Sequence, residues 1–232
     1  MTSLLFDLSD WPTIPMVDGS GEYPVRRIFC VGRNYAAHAA EMGNEVDREA
    51  PFYFTKSPTA AAMSGQTVPY PPGTQNYHHE MELAFAVGAP AFRVEPKDTG
   101  TVIHSYCCAL DMTRRDLQQV AKDKRRPWDI AKDVEGSAVF GQLTPAAEVG
   151  AIGPQRIWLE KNGTVVQDAH LADMIHAVPE MVADLSQYYH LGPGDVILTG
   201  TPAGVGPVEA GDVLTGRIDG LEPLLLTIGQ AE

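Results

Sequence analysis

His78-His79-Glu80-Met81-Glu82-Leu83-Ala84-Phe85 is the stretch on which the reading of this chain turns. A strand alternates its faces with period two, so Glu80 and Glu82 share one face while Met81 and Leu83 take the other. Two like charges side by side repel, and a fold tolerates the pair most readily where a cation sits between them. Asp111 supplies a third carboxylate where the apolar run Tyr106-Cys107-Cys108-Ala109-Leu110 ends. Three oxygen ligands with no required thiolate or imidazole suit a hard cation, Mg²⁺ or Mn²⁺, rather than zinc. The alternative is a pair of solvated glutamates on an exposed strand face.

The rest of the chain sets the frame. Its 232 residues suit one domain with a small appendage, and the apolar and charged fractions are those of an ordinary globular protein. No apolar stretch approaches the ~20 residues of a membrane span, and no basic-then-apolar leader opens the chain, which predicts a cytoplasmic protein. Three cysteines make no disulfide framework. A net charge of −13 argues against nucleic acid or an anionic membrane as partner. An anionic substrate would therefore need a bound metal and a few local Lys and Arg.

Working outward, residues 1–24 read as an irregular arm and 25–232 as the single catalytic domain. Arg27 to Gly32 is a short strand, and Asn34 is placed to cap a helix from Tyr35 to Met42. Residues 44–78, rich in Pro, Gly and polar groups, read as an irregular wall or lid. Val102 to Leu110 is a strand, followed by a helix from Asp111 to Lys122 with Thr113 as its cap. Asn162-Gly163 between Ile157–Lys161 and Thr164–Val166 predicts a type I′ hairpin. A helix over Ala177–His190 and strands at Asp195–Thr199, Val213–Ile218 and Leu224–Ile228 complete a β-rich α+β pattern.

Several groups can carry chemistry. His38 and Glu41 lie three apart on one helix face, and a carboxylate beside an imidazole makes a pair able to deprotonate water. Lys132 follows Trp128 and Ile130 and can face an anion from an apolar approach, although a snorkelling surface lysine reads the same way. Arg115 and Gln118 are three apart on the helix after Asp111. Leu198-Thr199-Gly200-Thr201-Pro202-Ala203-Gly204-Val205-Gly206 is a strand breaking into a Gly-rich loop. It fits neither dinucleotide nor phosphate-loop spacing, but its N–H groups and threonine hydroxyls can take a carboxylate. No His-Glu-x-x-His, Cys-x-x-Cys or Gly-x-Ser-x-Gly occurs, which disfavours zinc and a serine nucleophile.

Taken in order, Val31-Gly32-Arg33-Asn34-Tyr35-Ala36-Ala37-His38-Ala39-Ala40-Glu41-Met42, Tyr77–Leu83, Leu110–Asp116, Trp128–Lys132 and Asp195–Gly206 resemble the fumarylacetoacetate hydrolase family over roughly residues 25–228. The resemblance implies a mixed β-roll, usually a homodimer, with a divalent metal on Glu80, Glu82 and Asp111. It implies a His38–Glu41 dyad on a lid helix, Lys132 as catalytic lysine, and substrate contacts at Arg115, Gln118 and Thr201. Arg33, Tyr35 and Lys56 are added as expected substrate contacts, and the segment around Arg48 and Lys56 as a source of charge for a distal carboxylate. After the lysine this chain has Asp133-Val134-Glu135, where many relatives have a phenylalanine and an aspartate.

Within the family the chain looks most like the short acylpyruvases, nearest those that hydrolyse fumarylpyruvate in the gentisate branch of aromatic breakdown. The implied reaction cuts the carbon–carbon bond of a 2,4-dioxo acid. Decarboxylation or tautomerisation of a 2-oxo acid passes through the same kind of enolate and stays open as a second reading. A non-catalytic binding module is the third.

Overall fold

The computed structural model describes residues 11–43 and 48–231. Two antiparallel-rich sheets carry the molecule. The larger has the strand order Phe52–Lys56, Arg27–Gly32, Asp195–Leu198, Met81–Val87, Ile103–Asp111, Ala138–Phe140, Ala61–Met63, with Thr144–Pro145 pairing beside Ile103–Asp111. The smaller runs Thr164–His170, Arg156–Lys161, Val213–Ile218, Leu224–Ala231, Thr67–Tyr70. This is the β-rich roll expected from the sequence, with few short helices. Among the described residues no helix is long and apolar enough to cross a membrane.

The central strand is apolar on both of its alternating faces except at Glu82. All seven residues of Met81–Val87 are buried, because the sheet is covered on both faces. Leu83, Phe85 and Val87 join Phe29, Val31, Leu110 and the smaller sheet's Ile157, Leu159 and Leu214 in one core. Ala84 and Ala86 face the other way and pack with Ile28, Cys30, Cys107, Ala109 and Phe140 in a second core. The helix Val178–Tyr188 covers the first core with Val178, Met181, Val182 and Leu185. Pro179 sits in its first turn, and Glu180 accepts the Ala177 N–H at 2.7 Å.

Several expectations hold and others are corrected. Arg156–Lys161 and Thr164–His170 form the predicted hairpin, with Asn162 and Gly163 both at positive φ (52° and 77°). Within the expected arm, Thr13–Pro15 and Glu22–Pro24 form a hairpin that sends Ile14 and Tyr23 into the second core; residues 1–10 lie outside the described residues. The segment read as an irregular lid contains three strands, Phe52–Lys56, Ala61–Met63 and Thr67–Tyr70, while residues 44–47 lie outside the described residues. Two of the three pair in parallel with far later strands, Ala138–Phe140 and Leu224–Ala231, so no local turn announces them.

The helix after Asp111 starts late, at Arg115. Thr113–Arg114 pairs instead with Tyr77–His78, and Thr113 donates its hydroxyl to Asp111 O rather than capping the helix. Asn34 does not cap the short helix Ala36–Glu41 either. Its amide accepts from His176 N–H at 2.7 Å and donates to Thr199 O at 2.8 Å, tying the end of one central strand to the neighbouring strand's exit.

Candidate metal and catalytic centre

The stretch His78–Phe85 read as one strand is split at Glu80, where the chain passes from the small sheet of Tyr77–His79 into Met81–Val87. Across the ladder Met81 faces Leu110 and Glu82 faces Ala109, and the Asp111 N–H donates to Glu80 O at 2.9 Å. This register puts the two glutamates and Asp111 on one face at one end of the sheet. Oxygens of Glu80, Glu82 and Asp111 lie within 4.8 Å of one another, and all three residues are buried.

Three cations surround them unequally. Lys132 Nζ donates to Glu80 Oε2 and Asp111 Oδ2, each at 2.7 Å. Arg115 pairs with Glu80 and donates to Gln118 Oε1 at 2.6 Å. Lys56 Nζ lies 2.8 Å from Asp111 Oδ1, but its three N–H groups also have Met112 O, Lys132 O, Ser137 O and Ser137 Oγ within reach, and Oδ1 accepts no directed hydrogen bond. Glu82 makes no ion pair among the described residues; its Oε2 accepts the Gly200 N–H at 2.6 Å.

The charges respond accordingly. Burial pushes the Glu82 carboxyl up, and the Asp111 and Glu80 charges push it further, to well above the usual carboxylate range. Burial also pushes Glu80 up, but Lys132 and Arg115 outweigh it and hold this carboxyl low. Lys132 is disfavoured as a cation by burial, yet Asp111 and Glu80 keep its pKa raised. The site therefore holds one buried carboxyl that cannot ionise readily without a further positive charge. Three convergent hard oxygens with that deficit fit a divalent oxygen-loving cation.

Opposite the carboxylates stands His38, on the short helix Ala36–Glu41. Its Nδ1 is 3.1 Å from Glu41 Oε2, which leaves Nε2 as the remaining ring nitrogen, and the other Glu41 oxygen accepts the Gly204 N–H at 3.0 Å. The Gly-rich loop is thus tied to both groups, through Gly200 to Glu82 and through Gly204 to Glu41. Gly200 has φ +92°, and a Cβ there would lie 2.7 Å from Asn34 Cβ, so the loop can approach this closely only as glycine.

A small cavity lies over this centre. Glu80, Glu82, Asp111, His38 and Lys132 line it, as do Arg33, Arg115, Gln118 and Thr201 of the expected substrate contacts. Glu41 stands behind His38. Tyr35 and Lys56, also expected as substrate contacts, do not line the cavity: both are buried, and Lys56 is enclosed by backbone oxygens beside Asp111. Arg48 is exposed and off the cavity wall. The Thr201 hydroxyl donates to Met81 O and accepts from Gln167 Nε2, both at 2.8 Å. Thr199 likewise donates to Leu83 O, so neither hydroxyl proton remains for a ligand.

Sequence reading missed Gln167, which is buried and receives the Met81 N–H at 2.9 Å while donating to Pro202 O at 2.8 Å. It joins the acid-bearing strand to the Gly-rich loop. An amide in a strand of otherwise ordinary hairpin composition gave no local sign of this. Lys122, on the cavity wall beyond Gln118, was also missed.

The family described as fumarylacetoacetate (FAA) hydrolase C-terminal matches residues 27–228. A fumarylpyruvate hydrolase of Ralstonia sp is 51% identical over 197 residues, covering 82% of this chain and 100% of that protein. An oxaloacetate tautomerase of Escherichia coli (strain K12) is 40% identical over 201 residues, covering 86% of this chain and 91% of the relative. The crystal structure of fumarylpyruvate hydrolase from Pseudomonas aeruginosa, in complex with Mn²⁺ and pyruvate, superposes with a TM-score of 0.94 at 40% identity, covering 98% of this chain and 100% of that one. With its roll, its carboxylate trio and its matched residues, the chain belongs to the fumarylacetoacetate hydrolase family.

Proposed function

We propose that this chain hydrolyses the carbon–carbon bond of an acylpyruvate, with fumarylpyruvate as substrate and fumarate and pyruvate as products. The observation that carries this reading is the His38–Glu41 pair on the wall of a cavity whose floor holds Glu80, Glu82, Asp111 and Lys132. An activated water is needed for hydrolysis and not for decarboxylation. The likeness to the Ralstonia hydrolase supports the substrate.

Glu80, Glu82 and Asp111 would hold Mg²⁺ or Mn²⁺, which when bound supplies electrophilic charge to the oxygens of a 2-oxo acid. Glu41 accepts from His38 Nδ1 and so fixes Nε2 as the base. His38 Nε2 takes one proton from water, and the hydroxide adds to the acyl carbonyl carbon. The adduct collapses by breaking its bond to the methylene carbon. The acyl fragment leaves as a carboxylic acid, and the electron pair leaves with the pyruvoyl fragment as an enolate. Lys132 offsets the enolate charge from the cavity wall. His38 returns its proton to the methylene carbon, giving pyruvate. Arg33, Arg115 and Gln118 contact the substrate from the wall.

The test is the absorbance decay of fumarylpyruvate with purified protein and Mg²⁺ or Mn²⁺, with products identified and a chelator control. Decay that needs the metal and falls about 10²–10⁴-fold in His38→Ala is expected. Likeness to the oxaloacetate tautomerase supports a second reading on the same centre. Turnover of oxaloacetate without fumarylpyruvate decay would replace the first reading by the second. The family resemblance further supports a cytoplasmic homodimer in the gentisate branch of aromatic breakdown, and a monomer mass by light scattering would remove the dimer.

A further inference from the structure

Besides its carboxylates and Lys132, the cavity is lined by Arg33 and Lys122, and neither side chain makes an ion pair or a hydrogen bond among the described residues. Both cations instead lie against aromatic rings. The Arg33 guanidinium is 5.0 Å from the Phe52 ring centre, and Lys122 Nζ is 5.3 Å from the Trp128 ring. Phe52 and Trp128 meet edge to face at 5.4 Å, and Phe54 follows at 5.8 Å from Trp128 with Lys132 Nζ 4.9 Å from its ring. Of these rings Phe54 and Trp128 line the cavity, Phe54 against the catalytic lysine and Trp128 against Lys122.

Local structure maintains this arrangement at a cost. Arg33 has φ +59°, a left-handed conformation that is unfavourable for a non-glycine residue, and such strain concentrates at functional positions. Gly32, next to it, pairs with Phe52 across the sheet, and a Cβ there would come within 2.0 Å of the Phe52 ring. Gly32 therefore lets the ring fold down beside the guanidinium. Lys122 is half-buried; burial, with Arg115 and Arg33 nearby, holds its pKa down to about 8. An ammonium so placed gains from an incoming anion more than a solvated lysine does.

We propose that Arg33 and Lys122 form a second anion site that takes the distal carboxylate of a dicarboxylic acyl chain, whose flat unsaturated backbone lies along Phe54 and Trp128. The pair selects diacid over neutral acyl groups. The identity of the full substrate rests on the hydrolase reading, whereas the preference for a second carboxylate stands on the cations themselves. This site also answers the puzzle of an acidic chain with an anionic substrate. Lys56 and Arg48 leave the task open, and Lys122 meets it with Arg33.

Two measurements on the metal-loaded protein, Arg33→Gln and Lys122→Gln test it. The first is the ratio of kcat/KM for fumarylpyruvate to that for acetylpyruvate, which lacks the distal carboxylate. The ratio should fall about ten- to a hundred-fold in each variant, the loss of one charge-assisted contact, and mainly through KM. Lys122→Arg should recover most of it, and Lys122→Glu should lower it further. The second is calorimetric affinity for fumarate against crotonate, its monocarboxylate counterpart. Wild type should prefer fumarate, and the glutamine variants should not. Equal losses on both acylpyruvates, an unmoved ratio, or no fumarate preference in wild type would overturn the clamp while leaving hydrolysis intact. Fumarate preference lost in both variants, from a protein that hydrolyses neither acylpyruvate, would uphold the clamp and remove the hydrolase reading.

Discussion

Lys56 and Lys132 both reach the Asp111 carboxylate, at 2.8 and 2.7 Å, yet they do different things. Lys132 lines the cavity and spans Glu80 and Asp111, so its charge faces whatever binds there. Lys56 is 2% exposed and closes a gap where residues 112, 132 and 137 meet. Lys56→Met would leave Asp111 with Lys132 as its one paired cation and take the donor from several buried carbonyls, a defect worth about 3–5 kcal/mol for a broken buried pair. Urea denaturation should show that loss, and a variant as stable as wild type would refute the structural role. Lys132→Met should instead lower the rate about 10²–10³-fold in metal-saturated protein with its fold retained. The carboxylates, the dyad and Lys132 were legible in the sequence because each sits in a short local pattern whose spacing has a geometric meaning. The place of Lys56 was not legible because its surroundings come from segments 56 to 81 residues away, which no local pattern encodes.

At the scale of elements, what positions the site is the joint between the helix Arg115–Asp123 and the loop before Tyr77. Burial pushes Asp116 up, but the Thr74 hydroxyl at 2.6 Å and the Gln75 and Leu117 N–H groups at 2.9 Å outweigh it and leave its pKa lowered. The Arg115 N–H meanwhile donates to Asn76 O at 2.8 Å, so the joint sets Arg115 beside Glu80. An acid depressed in the folded state contributes stability above its unfolded pKa and loses it as pH falls through the folded one. Asp116→Asn should therefore cost about 1 kcal/mol at pH 7, reduced for partial solvent screening, and the difference should shrink as pH falls below 3.8. A gap between the two proteins that stays constant from pH 7 to pH 3 in denaturation would remove this account. The same joint shows why helix starts were misplaced. Thr113 and Asn34 have good capping side chains, but pairing with Tyr77–His78 and the bonds to His176 and Thr199 satisfied more groups than a cap would. The long central strands and the Asn-Gly hairpin read correctly because their periodicity is internal to them.

For the whole molecule, a net charge of −13 and a buried carboxylate trio raise the same question of where compensating charge comes from. Glu80 and Asp111 have protein cations; Glu82 makes no ion pair among the described residues, accepts the Gly200 N–H and is pushed toward its neutral acid. A divalent cation on the three oxygens would reverse that push, and its binding energy is then stability, because the unfolded chain offers no such arrangement. At about a hundred times its Kd, Mg²⁺ or Mn²⁺ would add roughly 2.7 kcal/mol. For a chain of this length that raises the unfolding midpoint by about 5–10 °C over protein in chelator. Glu82→Gln separates this from any general salt effect. In chelator the amide removes a buried acid without breaking an ion pair, so the midpoint should stay within about 2 °C of wild type or rise. In metal the variant should lose most of the increment, since one hard ligand is gone. A thermal melt of both proteins in metal and in chelator reads all four values. An equal metal increment in both would take Glu82 out of the ligand set, and no increment in wild type would remove the metal from the trio altogether.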